Sequence, residues 1–197
     1  MSKRTEKFYN TFSFLYPLID FFLKPQKRIL FKEVNKYPSG ELLEIGVGNG
    51  SHLKLYQKHL ITGVDSSSKM LEIAARNKQQ QNTKLIQMNG EDLMFDNESF
   101  DYVVLSHIIA VVDNPNLLLS EVLRVLKPQG TVFILNHFTP ENKLKYLDTF
   151  FSHISFIFHF NSLFKIDSIY SLKKFILIKE INFPPLSYFK LLIFTKK

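Results

Sequence analysis

Cysteine is absent from this chain of 197 residues, and only seven positions are glycine. Without cysteine there is no disulfide framework, no thiolate nucleophile and no cysteine-ligated metal site, and a reducing compartment is compatible with the composition. Seven glycines and eight prolines are too few for a low-complexity chain. Apolar runs of about 18 residues are also absent, so we expect no membrane-spanning helix.

What the chain does contain is apolar bulk and positive charge. Apolar residues make up 45% of the sequence, with 20 phenylalanines, which predicts one packed domain of ordinary size. The net charge of +7 is compatible with nucleic acid, with anionic lipid or with solubility alone. Much of it lies in the first 36 residues, among large apolar side chains: Lys3, Arg4, Lys7, Lys24, Lys27, Arg28, Lys32 and Lys36.

The N-terminal segment does not have the pattern of a signal peptide. Its apolar stretch, Phe8 to Leu23, is interrupted by Asn10, Pro17 and Asp20, and no small-residue cleavage site follows. We expect residues 1–37 to be helical and to be broken or bent near Pro17 and Pro25.

Downstream, short apolar runs alternate with amphipathic stretches. This rhythm predicts a parallel sheet covered by helices on both faces. The predicted strands are 42–45, 60–64, 84–88, 100–105 and 131–135, the predicted helices are 51–58, 67–79 and 114–126, and two late runs, 174–181 and 186–194, can pair antiparallel. We divide the single domain (1–197) into an N-terminal helical segment (1–37), a central part (38–140) and a C-terminal part (141–197).

A glycine-rich turn follows the first predicted strand. Gly46, Gly48 and Gly50 allow a tight turn and a close approach of the backbone to a ligand, and a helix beginning there would add backbone donors. A dinucleotide fingerprint requires a further glycine at position 51, where this chain has Ser51. Asp65 ends the second strand, where an acid can accept hydrogen bonds from both ribose hydroxyls, or can instead cap the following helix.

These segments resemble the class I methyltransferase family. The residues that carry the resemblance are Leu43–Gly50, Gly63–Ser67 with Met70, Asn89–Leu93, Ser99–Asp101 and Leu126–Gly130. The resemblance implies a Rossmann-like, doubly wound, mostly parallel seven-stranded sheet with an antiparallel C-terminal strand pair, an N-terminal helical lid and S-adenosylmethionine as cofactor. It departs from the family at Asn89, where an Asp is usual, and at Gln129, where a second glycine is usual.

The resemblance also implies a cofactor site, with a cofactor-binding core at 38–140 and substrate-side helices and C-terminal strands at 141–197. Its glycine turn would hold the methionine part, Asp65 the ribose, and the loop at Asn89 the adenine. The full set of predicted cofactor-binding residues is Tyr16, Glu44, Gly46, Gly48, Gly50, Asp65, Ser66, Met70, Asn89, Gly90, Glu91 and Ser106.

A more specific resemblance is to bacterial phosphatidylethanolamine N-methyltransferases. It rests on His107–Pro115, on Asn136-His137-Phe138 and on Pro184-Pro185-Leu186 leading into Phe189–Leu192. Tyr16 also matches, although Pro17 follows it where Asp is usual. Quinone C-methyltransferases share some of these segments, so a soluble or quinone-directed small-molecule enzyme is the alternative.

Methyl transfer from a sulfonium is an in-line displacement, so positioning can supply most of the catalysis. An amine acceptor must first lose its proton, and His107 and His137, just beyond the fourth and fifth strands, are candidate bases. Either histidine can instead only shape the pocket. A methylated ammonium is attracted by aromatic faces, for which Tyr16 is the first candidate, followed by Tyr9, Tyr146, Tyr170 and Tyr188.

The predicted partners are an anionic membrane surface and a phospholipid substrate, with the protein peripheral to the inner face of the membrane. Residues 1–36 would lie on the bilayer and cover the active-site mouth, or would only pack over the cofactor. We expect no metal, because His52, His59, His153 and His159 have no convincing metal-binding spacing with carboxylates. Nucleic acid is not expected, because the basic residues are not interleaved with aromatics on a sheet face. A non-catalytic cofactor-binding protein is disfavoured by the intact glycine turn.

Overall fold

The computed structural model describes residues 16–77, 82–138, 169–183 and 189–197, with side chains from residue 25 onward. In these ranges the helices are α1 (Tyr16–Val34), α2 (Ser68–Asn77) and α3 (Pro115–Val125), with 3₁₀ helices at Leu53–Leu55 and Tyr170–Lys174. The strands are β1 (Glu41–Ile45), β2 (Leu60–Asp65), β3 (Thr83–Gln87), β4 (Phe100–Ser106), β5 (Leu126–His137), β6 (Phe175–Phe183) and β7 (Phe189–Lys196).

All seven strands belong to one sheet, in the order β3-β2-β1-β4-β5-β7-β6. Strands β1 to β5 are parallel, whereas β7 is antiparallel to both β5 and β6. The predicted doubly wound sheet and its antiparallel C-terminal pair are therefore confirmed. The chain order reverses between β1 and β4, and ligands of such sheets bind at the carboxyl ends of the strands on either side of that point.

The core lies on both faces of the sheet because successive strand side chains point in opposite directions. In β4, Val103 and Leu105 belong to the cluster covered by α3, whereas Tyr102 and Val104 belong to the cluster covered by α1. Asn114 caps α3 by accepting the backbone N–H groups of residues 116 and 117, and Pro115 occupies the first turn, as predicted.

The break expected near Pro25 does not occur, because helix α1 is continuous from Tyr16 to Val34; a break before Pro17 would lie outside the described residues. Pro17 lies in the first turn, where its missing N–H has no helical partner, and Pro25 removes one bond from the interior. The C-terminal half of α1 buries Leu30, Phe31 and Val34 against the sheet, and this packing supports the helix on the far side of Pro25. This half therefore packs on a sheet face, and the proposed lid concerns only residues before it.

The helix predicted for residues 51–58 is wrong. Only the 3₁₀ helix Leu53–Leu55 forms there, and the backbone becomes extended at Tyr56. Asn49 Oδ1 accepts the Ser51 N–H at 3.1 Å, a local turn that competes with helix formation. A helix dipole consequently makes no contribution at the glycine turn.

Strand β5 begins five positions before the predicted Thr131, because Leu126 already pairs with Phe100 of β4. The register then shifts, and Gln129 adopts the left-handed conformation with φ of 60°. Outside glycine, this conformation costs about 1–2 kcal/mol.

Gln129→Gly is expected to stabilise the protein. The relieved strain exceeds the extra unfolded-state entropy of glycine, so the net gain is about 0.5–1 kcal/mol, or a rise of roughly 2–4 °C in the thermal midpoint. Thermal unfolding measures it. Gln57→Gly is the control because Gln57 is also exposed but has an ordinary φ, and it should lower the midpoint. Equal changes in the two variants would contradict the assignment of strain.

Candidate cofactor site

The glycine turn lies at the carboxyl end of β1, where sheet order reverses. Gly46, Gly48 and Gly50 have φ of 79°, 56° and 65°, which side chains rarely adopt. A Cβ at Gly46 would lie 2.8 Å from Ile108 Cδ1, and one at Gly50 would lie 2.8 Å from the Ala74 Cβ. The turn therefore needs glycine both for its backbone conformation and for its close packing.

Asp65, at the end of β2, faces this turn. Its Oδ2 accepts the Gly48 N–H at 2.8 Å and its Oδ1 accepts the Ser67 N–H at 2.9 Å. Burial raises the pKa of Asp65 above its ordinary value, although the N–H donors of Ser67, Gly48 and Ser66 oppose the rise. Ser67 Oγ, not Asp65, accepts the Met70 N–H in the first turn of α2. A carboxylate has about four acceptor positions, so Asp65 can still accept from a ligand hydroxyl.

Glu44 lies beneath the turn and is fully buried, at 0% exposure. Its Oε1 lies 2.7 Å from His52 Nε2, and its Oε2 accepts the Tyr56 hydroxyl at 2.9 Å. Burial raises the pKa of Tyr56 well above its ordinary value, and the adjacent Glu44 adds to the effect. The described contacts of Glu44 thus tie β1 to the segment after the glycine turn.

His52 and Tyr56 were not among the predicted site residues. Phe31 of α1 packs against both, with ring centroids 5.3 Å from His52 and 4.8 Å from Tyr56. The available signal in the sequence is a histidine and a tyrosine four positions apart, beyond the glycine turn that follows a strand containing Glu44.

The loop after β3 holds the next group of predicted residues. Asn89 Oδ1 accepts the Glu91 N–H at 3.1 Å, and the Asp92 N–H bonds to the Asn89 carbonyl at 3.0 Å. The Glu91 carboxylate accepts the backbone N–H of Asn114, the cap of α3. Gly90 lies against Ile45 at the end of β1. The loop is therefore held beside the carboxyl end of β1 by Glu91 and Gly90.

Ser106 ends β4 and His107 follows it, next to the glycine turn. Ser106 Oγ is buried and has no hydrogen-bond partner among the described residues, so its capacity to bond to a ligand is unused. His107 has φ of 59°, a rare conformation for a residue with a side chain, and its N–H bonds to the Leu135 carbonyl at 2.7 Å. Such outliers cluster at functional sites.

His107 and His137 meet on one phenylalanine. The Phe189 ring, at the start of β7, lies 5.6 Å from the His107 ring and 6.5 Å from the His137 ring. His137 is 2% exposed, whereas His107 is only partly buried. Asn136, directly before His137, has a buried Oδ1 that lacks a hydrogen-bond partner among the described residues. Phe189 belongs to a segment that carries the family resemblance, but it was not predicted as a site residue.

The other predicted residues are distributed as follows. Met70 is buried in α2, and Ser66 accepts the Gln87 side-chain amide through its carbonyl. Tyr16 begins α1, but its side chain, like Tyr9, Tyr146 and Tyr188, lies outside the described residues, and Tyr170 is 64% exposed. Across 16–77, 82–138, 169–183 and 189–197, no three His, Asp or Glu side chains group as a metal would require.

The features fit S-adenosylmethionine. Three features lie around the carboxyl ends of β1, β2 and β4. They are a glycine cradle that side chains would fill, the desolvated carboxylate of Asp65, and the Ser106 Oγ, which has no partner in the described residues. These groups can receive a ribose diol and the polar groups of a methionine moiety at one sheet edge.

Known proteins share sequence and fold with this chain. A family model described as a methyltransferase domain matches residues 43–134. Phosphatidylethanolamine N-methyltransferase of Cereibacter sphaeroides is 38% identical over 104 residues, which cover 50% of this chain and 51% of that protein. Demethylmenaquinone methyltransferase of Thermotoga maritima is 35% identical over 126 residues, which cover 61% and 53% respectively.

A solved structure of an S-adenosylmethionine-dependent methyltransferase from Thermotoga maritima has the same fold. It superposes with a TM-score of 0.75 at 23% identity and covers 98% of both chains. The present chain spans about half the length of the curated relatives it matches. Residues 43–134 are thus similar to a methyltransferase domain, and the chain has the fold of a solved S-adenosylmethionine-dependent methyltransferase.

Proposed function

We propose that the protein transfers a methyl group from S-adenosylmethionine to the headgroup amine of phosphatidylethanolamine, and to the mono- and dimethyl forms. The observation that carries the proposal is the grouping of His107, Phe189 and His137 at the carboxyl ends of β4 and β5. Neighbouring strands are about 4.8 Å apart, so the backbones at His107, His137 and Phe189 lie roughly 5, 10 and 14 Å from β1, which leads into the glycine turn. The similarity to the phosphatidylethanolamine enzyme supports the same acceptor.

We assign the cofactor roles in line with this geometry. The glycine turn would receive the methionine moiety, Asp65 the ribose hydroxyls, and the Asn89–Glu91 loop the adenine. When bound, the cofactor supplies a methyl group on a sulfonium, which a nucleophile displaces in line. The residues of this chain therefore have to hold the acceptor in line and remove its proton.

The acceptor amine carries a proton at neutral pH, as alkyl ammonium groups do. His107 would take this proton, because it lies at the sheet edge, is only partly buried, and carries an imidazole, the commonest general base of enzymes. His137 is buried and would instead support the Phe189 ring. The face of an aromatic ring attracts a methylated ammonium by about 0.5–2 kcal/mol, which suits successive methylations.

A quinone precursor is the second candidate acceptor. The similarity to demethylmenaquinone methyltransferase favours it, and the apolar Phe189 ring is compatible with a planar substrate.

Purified protein should be incubated with labelled cofactor and either phosphatidylethanolamine or demethylmenaquinone in neutral detergent micelles. Methylated headgroup supports the proposal, whereas methylated quinone alone would replace it.

His107→Asn is expected to lower the methylation rate at neutral pH by about 10²–10⁴-fold with cofactor affinity unchanged. Asparagine tolerates the left-handed backbone that residue 107 adopts, so the fold is retained while the base is lost. The measurement is the initial rate across pH, where the loss should shrink as the amine deprotonates at high pH. Glu98→Asn is the control, because Glu98 also has a positive φ but is exposed and precedes the start of β4, at the opposite end of that strand from His107. If the methylation rate falls by the same factor at every pH, His107 only shapes the pocket and does not act as a base.

We further propose that the protein is peripheral to the membrane at its inner face. The basic and apolar N-terminal segment supports this, although residues 1–15 lie outside the described part of the chain. No helix in the described residues is both long and apolar enough to cross a membrane.

A further inference from the structure

A groove of about 430 Å³ runs along α1 on the side away from the sheet interior. Its walls combine one face of α1 with the segment after the Leu53–Leu55 turn. The lining residues are Arg28, Phe31, Lys32, Asn35, Lys36, Leu55 and Gln57.

Three cations line this groove. Arg28 and Lys32 are four residues apart on one face of α1, Lys36 follows the end of that helix, and all three are exposed. Lys36 pairs with Glu33 at 2.6 Å, but within the described residues neither Arg28 nor Lys32 has a carboxylate partner. None of the seven lining residues is acidic. In the described part of the chain, the groove therefore presents two positive charges that no carboxylate pairs with.

The neutral lining residues give this groove a fixed shape. Asn35 bonds across it, with its Nδ2 donating to the Leu55 carbonyl at 2.9 Å and its Oδ1 accepting the Gln57 N–H at 3.2 Å. Phe31 lines the groove and also packs on His52 and Tyr56, which hold Glu44 beneath the glycine turn. One layer of side chains thus separates the groove from the cofactor end of β1.

We propose that this groove binds the headgroup phosphates of anionic phospholipids at the bilayer surface. An arginine and a lysine one helical turn apart match a phosphate anion, and the groove floor is apolar at Phe31 and Leu55. The inference rests on the proposed phospholipid substrate, because an enzyme that acts on this substrate must stay at the bilayer surface. The groove is separate from the amine site at His107.

The test is sedimentation of the full chain with vesicles of phosphatidylglycerol and with vesicles of phosphatidylcholine. The double variant Arg28→Gln/Lys32→Gln should bind phosphatidylglycerol vesicles about thirtyfold more weakly, since each basic residue near an anionic surface contributes a factor of about five. Methylation of phosphatidylethanolamine in neutral micelles should be unchanged. If the proposed function is wrong, the wild type will not methylate phosphatidylethanolamine, but its vesicle binding will still depend on Arg28 and Lys32. If the groove assignment is wrong, the double variant will bind phosphatidylglycerol vesicles as tightly as the wild type, and methylation will still occur.

Arg76→Gln/Lys84→Gln is the matched control, because it removes the same charge from exposed positions off the groove. An equal loss of vesicle binding in both double variants would show that only total charge matters and would overturn the groove assignment.

Calorimetry with inorganic phosphate distinguishes a free anion from a headgroup. Phosphate binding that needs Arg28 and Lys32, together with vesicle binding that does not, would make the ligand a soluble phosphate and overturn the membrane assignment.

Discussion

Asp65→Ala should weaken S-adenosylmethionine binding by about 10- to 150-fold. The proposed bonds from the ribose hydroxyls to this carboxylate are charge-assisted, and such bonds contribute about 1.5–3 kcal/mol. Asp65 also accepts the Gly48 and Ser67 N–H groups, so the variant should unfold more easily as well. Calorimetric titration and thermal unfolding separate the two effects.

A 2′-deoxy analogue of S-adenosylhomocysteine isolates the ribose contribution. Asp65→Ala should weaken binding of the parent compound much more than binding of the deoxy analogue, because the analogue has already lost one of the two bonds. Ser67→Ala is the matched control: it removes the Oγ that accepts the Met70 N–H and should cost about 0.5–2 kcal/mol of stability without changing affinity. Equal weakening of both ligands would assign Asp65 to the glycine turn alone.

The sheet was predictable because its strands are short runs of buried, branched residues. In β4, the run from Tyr102 to Leu105 is buried throughout, as a strand covered on both faces must be, and the predicted and observed strands differ there by one residue. The cap and proline of α3 were also predictable, because Asn114 and Pro115 each have one preferred place at a helix start. These features depend only on residues that are close together in the sequence.

Features that depend on distant residues were missed. Residues 51–58 contain apolar residues at helical spacing, but Tyr56 bonds to Glu44, twelve positions earlier, and the chain is extended there. The positive φ of Gln129 and of His107 is likewise invisible in a sequence, because non-glycine residues adopt it only when the surrounding structure requires it. The candidate site was therefore predictable in its location and glycines, and not in the contacts that support it.

Glu44→Ala is expected to lower the free energy of unfolding by about 3–5 kcal/mol, the cost of removing one partner from a buried polar pair. The substitution leaves His52 Nε2 and the Tyr56 hydroxyl, both buried in the wild type, without the carboxylate that they contact. Tyr56→Phe should cost about 1.5–3 kcal/mol, because it removes one bond to a charged group while the ring continues to pack on Phe31. Urea unfolding measures both variants.

The double variant Glu44→Ala/Tyr56→Phe determines whether these losses come from one network. Two residues in direct contact should be coupled by about 0.5–3 kcal/mol, so the double variant should be more stable than the sum of the single losses predicts. Tyr102→Phe is the control, because Tyr102 is also buried but its described contacts are the rings of Tyr37 and His59, and its loss should be within about 0.5 kcal/mol. Additive losses would mean that Glu44 stabilises the protein without the Tyr56 bond. A coupled network would instead explain how the glycine turn is held in place although no helix follows it.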